Sequence, residues 1–230
     1  MIPKIIHQIW DGRHEPLPRF FKELSETWKK NHPEWRYEFW DKERMEKFVA
    51  EHFPVYFNKY QTLKYNIQRW DVIRYMILSK LGGLYVDFDY ESLKPADEYL
   101  SGKTCCFGLE PEEHRILFNR EHSIISNAFI ASVPNHPFME LLIENVFNSE
   151  ASFTSRFYCV LETTGPYMIS RVYQNYENKD GVELLPEELV SPLSKDDVTK
   201  YLKFYIDDDV LEHKTQKAIA IHYFSGTWLD

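Results

Sequence analysis

Apolar residues recur along the first half of the chain with two different periods, and the switches between them predict alternating strands and helices. Residues 2 to 10 are β-branched and aromatic and stop at Asp11-Gly12, a strand running into a turn. Pro18 opens a helix over 19 to 31, where Phe20, Phe21, Leu24 and Trp28 share one face and Lys and Glu fill the other, ending before Pro33. A strand follows at 35 to 40. Asp41 is placed to cap a helix through His52, since Met45, Phe48 and Val49 repeat at helical spacing. From Asn66 to Leu81, Ile67, Trp70, Ile73, Ile77 and Leu81 form one apolar stripe, and Gly82-Gly83 offers the left-handed backbone that ends a helix. Leu84-Tyr85-Val86-Asp87-Phe88-Asp89 then reads as a buried strand turning acidic at its carboxyl end.

The second half is less regular. Apolar runs at 105 to 109, 128 to 133 and 218 to 221 read as strands, with a helix over 136 to 147. Residues 152 to 166 and 186 to 209 are rich in turn formers and charges, which predicts surface loops shaping a site rather than a second domain. The order is that of an α/β fold, and 230 residues with 43% hydrophobic content fit one domain over 1 to 230. A net charge of -9 excludes a nucleic-acid-binding surface while leaving room for a local basic pocket. The three cysteines, two adjacent at Cys105 and Cys106, have neither disulfide-framework nor zinc-knuckle spacing and fit a reducing compartment. Pro3, Lys4, His7 and Gln8 interrupt the N-terminal run, so no signal peptide is expected, and no transmembrane span is expected either. The expected location is cytoplasmic, with peripheral contact at the inner membrane face.

Two carboxylates carry the chemistry. On a strand, residues i and i+2 share a face, so Asp87 and Asp89 would stand side by side with Phe88 in the opposite layer. Such a pair suits a hard divalent ion that completes its shell with substrate phosphate oxygens. Asp-x-Asp is short, and by spacing alone a solvated strand end is an equal reading; its place at the carboxyl end of a strand favours the ion. Asp71 and Arg74 lie one helical turn apart, either as a surface ion pair, the commoner case, or lining the same crevice. Trp10 is placed to stack on a nucleobase, although core packing is the commoner role, and His222 ends a late strand, where a satisfied histidine is commoner than a ligand.

Several motifs occur in order across the chain: Ile2-Pro3-Lys4-Ile5-Ile6-His7-Gln8-Ile9-Trp10; Trp28, Asn31, Pro33, Trp35 and residues 37 to 40; Asp71, Arg74-Tyr75, Leu78 and Gly82-Gly83 through Asp89; Asn127 with 128 to 131; His136-Pro137; Thr164-Gly165-Pro166; and Ile221-His222-Tyr223 to Trp228. Together they resemble the family 32 glycosyltransferases, a group that includes capsular-polysaccharide enzymes and the yeast-type initiating mannosyltransferase. The resemblance implies a GT-A nucleotide-diphospho-sugar transferase fold, Rossmann-like with a mixed central sheet, its nucleotide-binding half about 1 to 100 and its acceptor half about 101 to 230. It implies retaining hexosyl transfer from a nucleotide sugar, UDP-sugar favoured over GDP-mannose, with Mn2+ or Mg2+, to a glycan or lipid-linked acceptor in surface polysaccharide synthesis. Carried over by position, Asp87 faces the ribose and metal, Asp89 is the direct metal ligand and His222 a further one. Asp71 and Arg74 contact the donor, and Ile9 and Trp10 lie beside it. For retention, no residue must act as nucleophile: Glu110 and Asn127 are candidates to lie beneath the donor sugar, and attack by the acceptor hydroxyl on the leaving-group face is an equal reading. Trp70 and Phe88 depart from the family pattern by being bulky, which leaves the choice of donor open. The rival readings are an inactive sugar- or nucleotide-binding module, a phosphohydrolase, which needs more acidic and His ligands than one acid pair, and an acidic interaction domain.

Overall fold

The computed structural model describes residues 1–12, 16–149, 151, 153–203 and 205–226. Its first half runs β1 (Ile5–Ile9), α1 (Arg19–Asn31), β2 (Arg36–Trp40), α2 (Lys42–His52), α3 (Pro54–Thr62), α4 (Asn66–Leu81), β3 (Gly83–Val86), β4 (Tyr90–Ser92) and α5 (Asp97–Leu100). The second half runs β5 (Cys105–Leu109), α6 (Glu112–Leu117), β6 (Ile125–Ser132), α7 (Pro137–Asn148), α8 (Arg156–Thr163), α9 (Pro166–Asn175), β7 (Glu183–Leu185), α10 (Glu187–Val190), α11 (Lys195–Leu202), α12 (Asp208–Thr215) and β8 (Ala220–His222).

The main sheet has the order β2-β1-β3-β6-β5-β7, and β4 and β8 form a separate two-stranded ribbon. Strands β1, β2 and β3 are parallel, β6 runs antiparallel to both β3 and β5, and β7 is parallel to β5. Because β6 alone is reversed, its start lies at the sheet edge where β1, β3 and β5 end. Alternation along the strands divides the core between two faces. Tyr85, Phe107 and Ile130 pack under α2, α4, α7 and α9, while Leu84, Val86, Phe129 and Ala131 pack with Trp28 of α1. Among the described residues no helix is long and apolar enough to cross a membrane, and Cys105, Cys106 and Cys159 are free and buried.

Three expectations are corrected. The strand expected through Asp89 stops at Val86, so the two acids do not alternate along a strand: Asp87 N–H still reaches Ala128 O at 3.0 Å, and residues 88 and 89 form a turn. The segments 152 to 166 and 186 to 209, expected as loops, hold α8, α10, α11 and the start of α12. Helix α4 is buried well beyond its apolar stripe, with Val72, Tyr75, Met76 and Leu78 at 0% exposure, because the sheet and α7 enclose it from different sides.

The passage from α4 into β3 requires both glycines. Gly82 and Gly83 take φ of 65° and 105°, and a Cβ on Gly83 would lie 2.6 Å from Ile5 O. His7, buried beside them, holds Gly82 O at 2.9 Å through Nε2 and accepts from Trp40 Nε1 at 3.1 Å through Nδ1. Both ring nitrogens are thereby committed, and β2, β1 and the end of α4 are locked together.

Candidate active site

At the carboxyl edge of the sheet the chain leaves β3, makes the turn at 87–89 and enters the ribbon. Tyr90 is paired with His222 in register, so β8 brings His222 back against the turn. One ligand atom each from Asp87, Asp89 and His222 lies within 4.8 Å of the others. His222 Nε2 is 3.2 Å from Asp89 Oδ1, and its Nδ1 is buried without a hydrogen-bond partner. Stacking on Tyr90, at 4.3 Å between centroids, fixes the imidazole plane. Burial works against both charges, yet the His222 charge holds the Asp89 carboxyl below its ordinary range, with Ser225 N–H donating to Oδ2 at 2.8 Å, and Asp89 raises His222 in return. Burial raises Asp87, and the Asp89 charge adds to it against the opposing Arg74. Two hard oxygens and an imidazole with an orphaned nitrogen suit a divalent cation of the manganese or magnesium type.

Behind Asp87 lies a buried polar network. Arg74 donates through Nη1 to Asp87 Oδ1 at 3.1 Å and Asn127 O at 2.7 Å, and through Nη2 it contacts Asp71 Oδ1 at 3.1 Å. Asp71 also accepts from Asn127 Nδ2 and Thr164 Oγ1, both at 2.8 Å. Tyr85 OH is a second donor to Asp87 Oδ1, and Gln8 Nε2 donates to Asp87 O at 3.2 Å while Gln8 Oε1 accepts from Tyr37. Burial pushes Asp71 up to about 6, against Arg74 and the donated hydrogen bonds. The surface ion pair weighed for Asp71 and Arg74 is therefore corrected: both are under 5% exposed, and both carboxylate oxygens of Asp71 are engaged within the protein.

Residues 18–106 match the family described as the glycosyltransferase sugar-binding region containing DXD motif. The chain is 30% identical over 179 residues to inositol phosphoceramide mannosyltransferase 2 of Schizosaccharomyces pombe, covering 78% of this chain and 48% of that protein. It is 28% identical over 232 residues to mannosyl phosphorylinositol ceramide synthase SUR1 of Saccharomyces cerevisiae, covering 98% and 56%. The chain belongs to the DXD-motif glycosyltransferase family. It spans about half the length of these relatives. The solved structure of PaToxG glycosyltransferase superposes with a TM-score of 0.53 at 18% identity over 94% of this chain and 84% of that one, and the fold is GT-A.

The structure gathers Asp71, Arg74, Asp87 and Asp89, which lie within the matched region, together with Asn127 and His222, which lie beyond it, at one edge. Trp10, at the end of β1, packs edge-on against Phe21 and Phe88, and Ile9 packs partly on the main core. Phe88 does turn away from the acids, into this aromatic box. Glu110 follows β5 but lies outside the three-ligand cluster, accepting from His114 Nδ1 at 3.0 Å. Trp228 lies outside the described residues. Sequence reasoning missed Gln8, Tyr85 and Thr164 as partners of the acids. Gln8 and Tyr85 sit at alternating positions within motifs that were singled out, which was the available signal.

Proposed function

We propose that this chain is a metal-dependent glycosyltransferase that moves a mannosyl group, with retention of configuration, from a nucleoside diphosphate donor to a glycan or lipid-linked acceptor. The observation that carries this reading is the convergence of Asp87, Asp89 and His222 within 4.8 Å at the carboxyl edge of the sheet, where open α/β folds bind ligands. A divalent cation there supplies Lewis acidity to the departing diphosphate. Arg74 neutralises the buried acids behind the site and fixes the Asp87 side chain, and Asn127 ties the start of β6 to the same network. Such fixed dipoles and charges stabilise developing charge without reorganisation. The relatives' mannosyl chemistry supports a mannose donor and makes GDP, rather than the UDP expected from sequence, the favoured base. Their names also support a phosphoinositol-ceramide type of lipid acceptor. A cytoplasmic location with brief membrane contact belongs to the proposal, and fractionation that finds only secreted protein would overturn that part.

The test is calorimetric titration of GDP and UDP, with and without Mn2+, into the protein and into Asp89→Ala. Mn2+-dependent GDP binding, weakened at least about tenfold in the variant, is the expected result. Mn2+-dependent UDP binding instead would restore the sequence-based donor. Binding of neither nucleotide would sink the catalytic reading.

A further inference from the structure

Among the described residues, the Asp87 carboxylate is held by one oxygen only. Arg74 Nη1 and Tyr85 OH both donate to Oδ1, which leaves Oδ2 as the oxygen available to an ion. Tyr85 is itself fixed: it is 1% exposed within β3, paired in register with Ile130 of β6, and the Arg74 guanidinium carbon lies 4.7 Å from its ring centroid. Arg74 Nη1 divides its donors between Asp87 and the shorter contact to Asn127 O at 2.7 Å. Tyr85 gives its single hydroxyl hydrogen to Oδ1, beside one of the two Nη1 hydrogens of Arg74, so that removing the hydroxyl frees a lone pair of Oδ1.

We propose that Tyr85 is a cation-selectivity residue of this site, acting through Asp87. By occupying Oδ1 it denies Asp87 the bidentate mode and leaves a single-oxygen ligand. Magnesium demands near-ideal octahedral geometry with compact single-oxygen contacts, and manganese suits the same oxygen-rich octahedral sites. Calcium accepts bidentate carboxylates and a larger, looser shell. A Tyr85-restrained Asp87 therefore disfavours calcium, and its release would admit it. The inference rests on the reading of Asp87, Asp89 and His222 as a cation site, and it adds what sets that site's preference.

The test compares wild type with Tyr85→Phe by calorimetric titration of MnCl2 and of CaCl2 in the presence of saturating nucleotide, GDP or UDP, whichever binds. Thermal melting and near-ultraviolet dichroism are recorded alongside. The substitution keeps the ring in the core and removes only the hydroxyl. The expected result is Mn2+ affinity lowered about tenfold, with the Ca2+ to Mn2+ affinity ratio raised by a similar factor and a near-native dichroism spectrum. A purely structural hydroxyl would change the melting temperature without moving the ratio, and that outcome overturns the proposal. If wild type binds neither Mn2+ nor Ca2+, the cation site itself falls, and with it the functional reading; if wild type binds Mn2+ and the ratio is unchanged, only the role of Tyr85 falls. Should Tyr85→Phe fail to fold, Tyr85→Leu or Tyr85→Met, which likewise carry no donor, must show the raised ratio in the same titration, and an unmoved ratio in a folded variant overturns the proposal equally.

Discussion

His7 offers the sharpest test of how the scaffold beneath the acids is held. The neutral imidazole with its proton on Nε2 satisfies both neighbours, donating to Gly82 O and accepting from Trp40. Protonation would set an N–H on Nδ1 against the indole N–H of Trp40, in a site that water does not reach. Burial accordingly lowers His7 from 6.5 to about 4, with the Gly82 hydrogen bond opposing. At roughly 1.4 kcal/mol per pH unit, the full difference is worth about 3 kcal/mol. Because the folded state favours the neutral ring, this stability is complete above pH 6.5 and is lost as the pH falls from 6.5 to about 4. Asp71, raised to about 6 by burial, works in the opposite direction over an overlapping range, so the wild-type curve alone does not isolate His7. His7→Phe does, since Asp71 is common to both proteins. The variant leaves Trp40 Nε1 and Gly82 O unpartnered, at a cost of about 1–3 kcal/mol each. Urea unfolding followed by tryptophan fluorescence at pH 7.5 and 4.5 should show a stability gap between the two proteins that is roughly 2–3 kcal/mol smaller at pH 4.5. A gap constant to within about 0.5 kcal/mol would refute the tautomer argument.

Other substitutions probe the remaining supports. Arg74→Met strips the counter-charge from Asp71 and Asp87 together, and a loss of about 3–5 kcal/mol, read as a melting temperature about 10 °C lower, is expected; adding Asp71→Asn should recover part of it. Gly83→Ala forces a Cβ to within 2.6 Å of Ile5 O at φ of 105°, and a loss of at least about 3 kcal/mol or failure of soluble expression is expected. Gly102→Ala is the control: its φ is 73° but a Cβ there meets nothing within 4 Å, so about 1 kcal/mol is expected.

The parts of the fold legible in the sequence are those fixed by local pattern. Helix α2 begins at the expected cap, where Asp41 Oδ1 accepts from Arg44 N at 2.8 Å, and α1 and α4 match their predicted spans. Helix α11 was hidden because Ser194 and Asp197, which read as loop residues, form a capping box. Pro166 had the same double meaning at the start of α9. The end of β3 is set by pairing with β6 and by the turn into the ribbon, neither of which periodicity records. His222 is legible as a strand-end histidine, but its role as a ligand comes only from the family resemblance, since the residue it pairs with, Tyr90, lies far away in sequence. The spacing of Asp71 and Arg74 placed them together, but only the packing of α4 against its surroundings turned a surface pair into a buried one.

The turn at 87–89 means that the two acids belong to different bodies. Asp87 is anchored to the main sheet through Ala128 O, whereas the Asp89 carbonyl takes the N–H of Tyr223 at 2.8 Å and is tied to the ribbon. The ribbon in turn is seated on α1, whose Trp28 indole donates to Tyr90 O at 2.8 Å and whose Asn31 amide donates to Ser92 O at 2.9 Å. The bite between the two carboxylates is therefore a measure of how ribbon and sheet are mated. Its stiffness is inherited from a helix that supplies no ligand, so sequence drift on the inner face of α1 can retune the site while every acid stays in place.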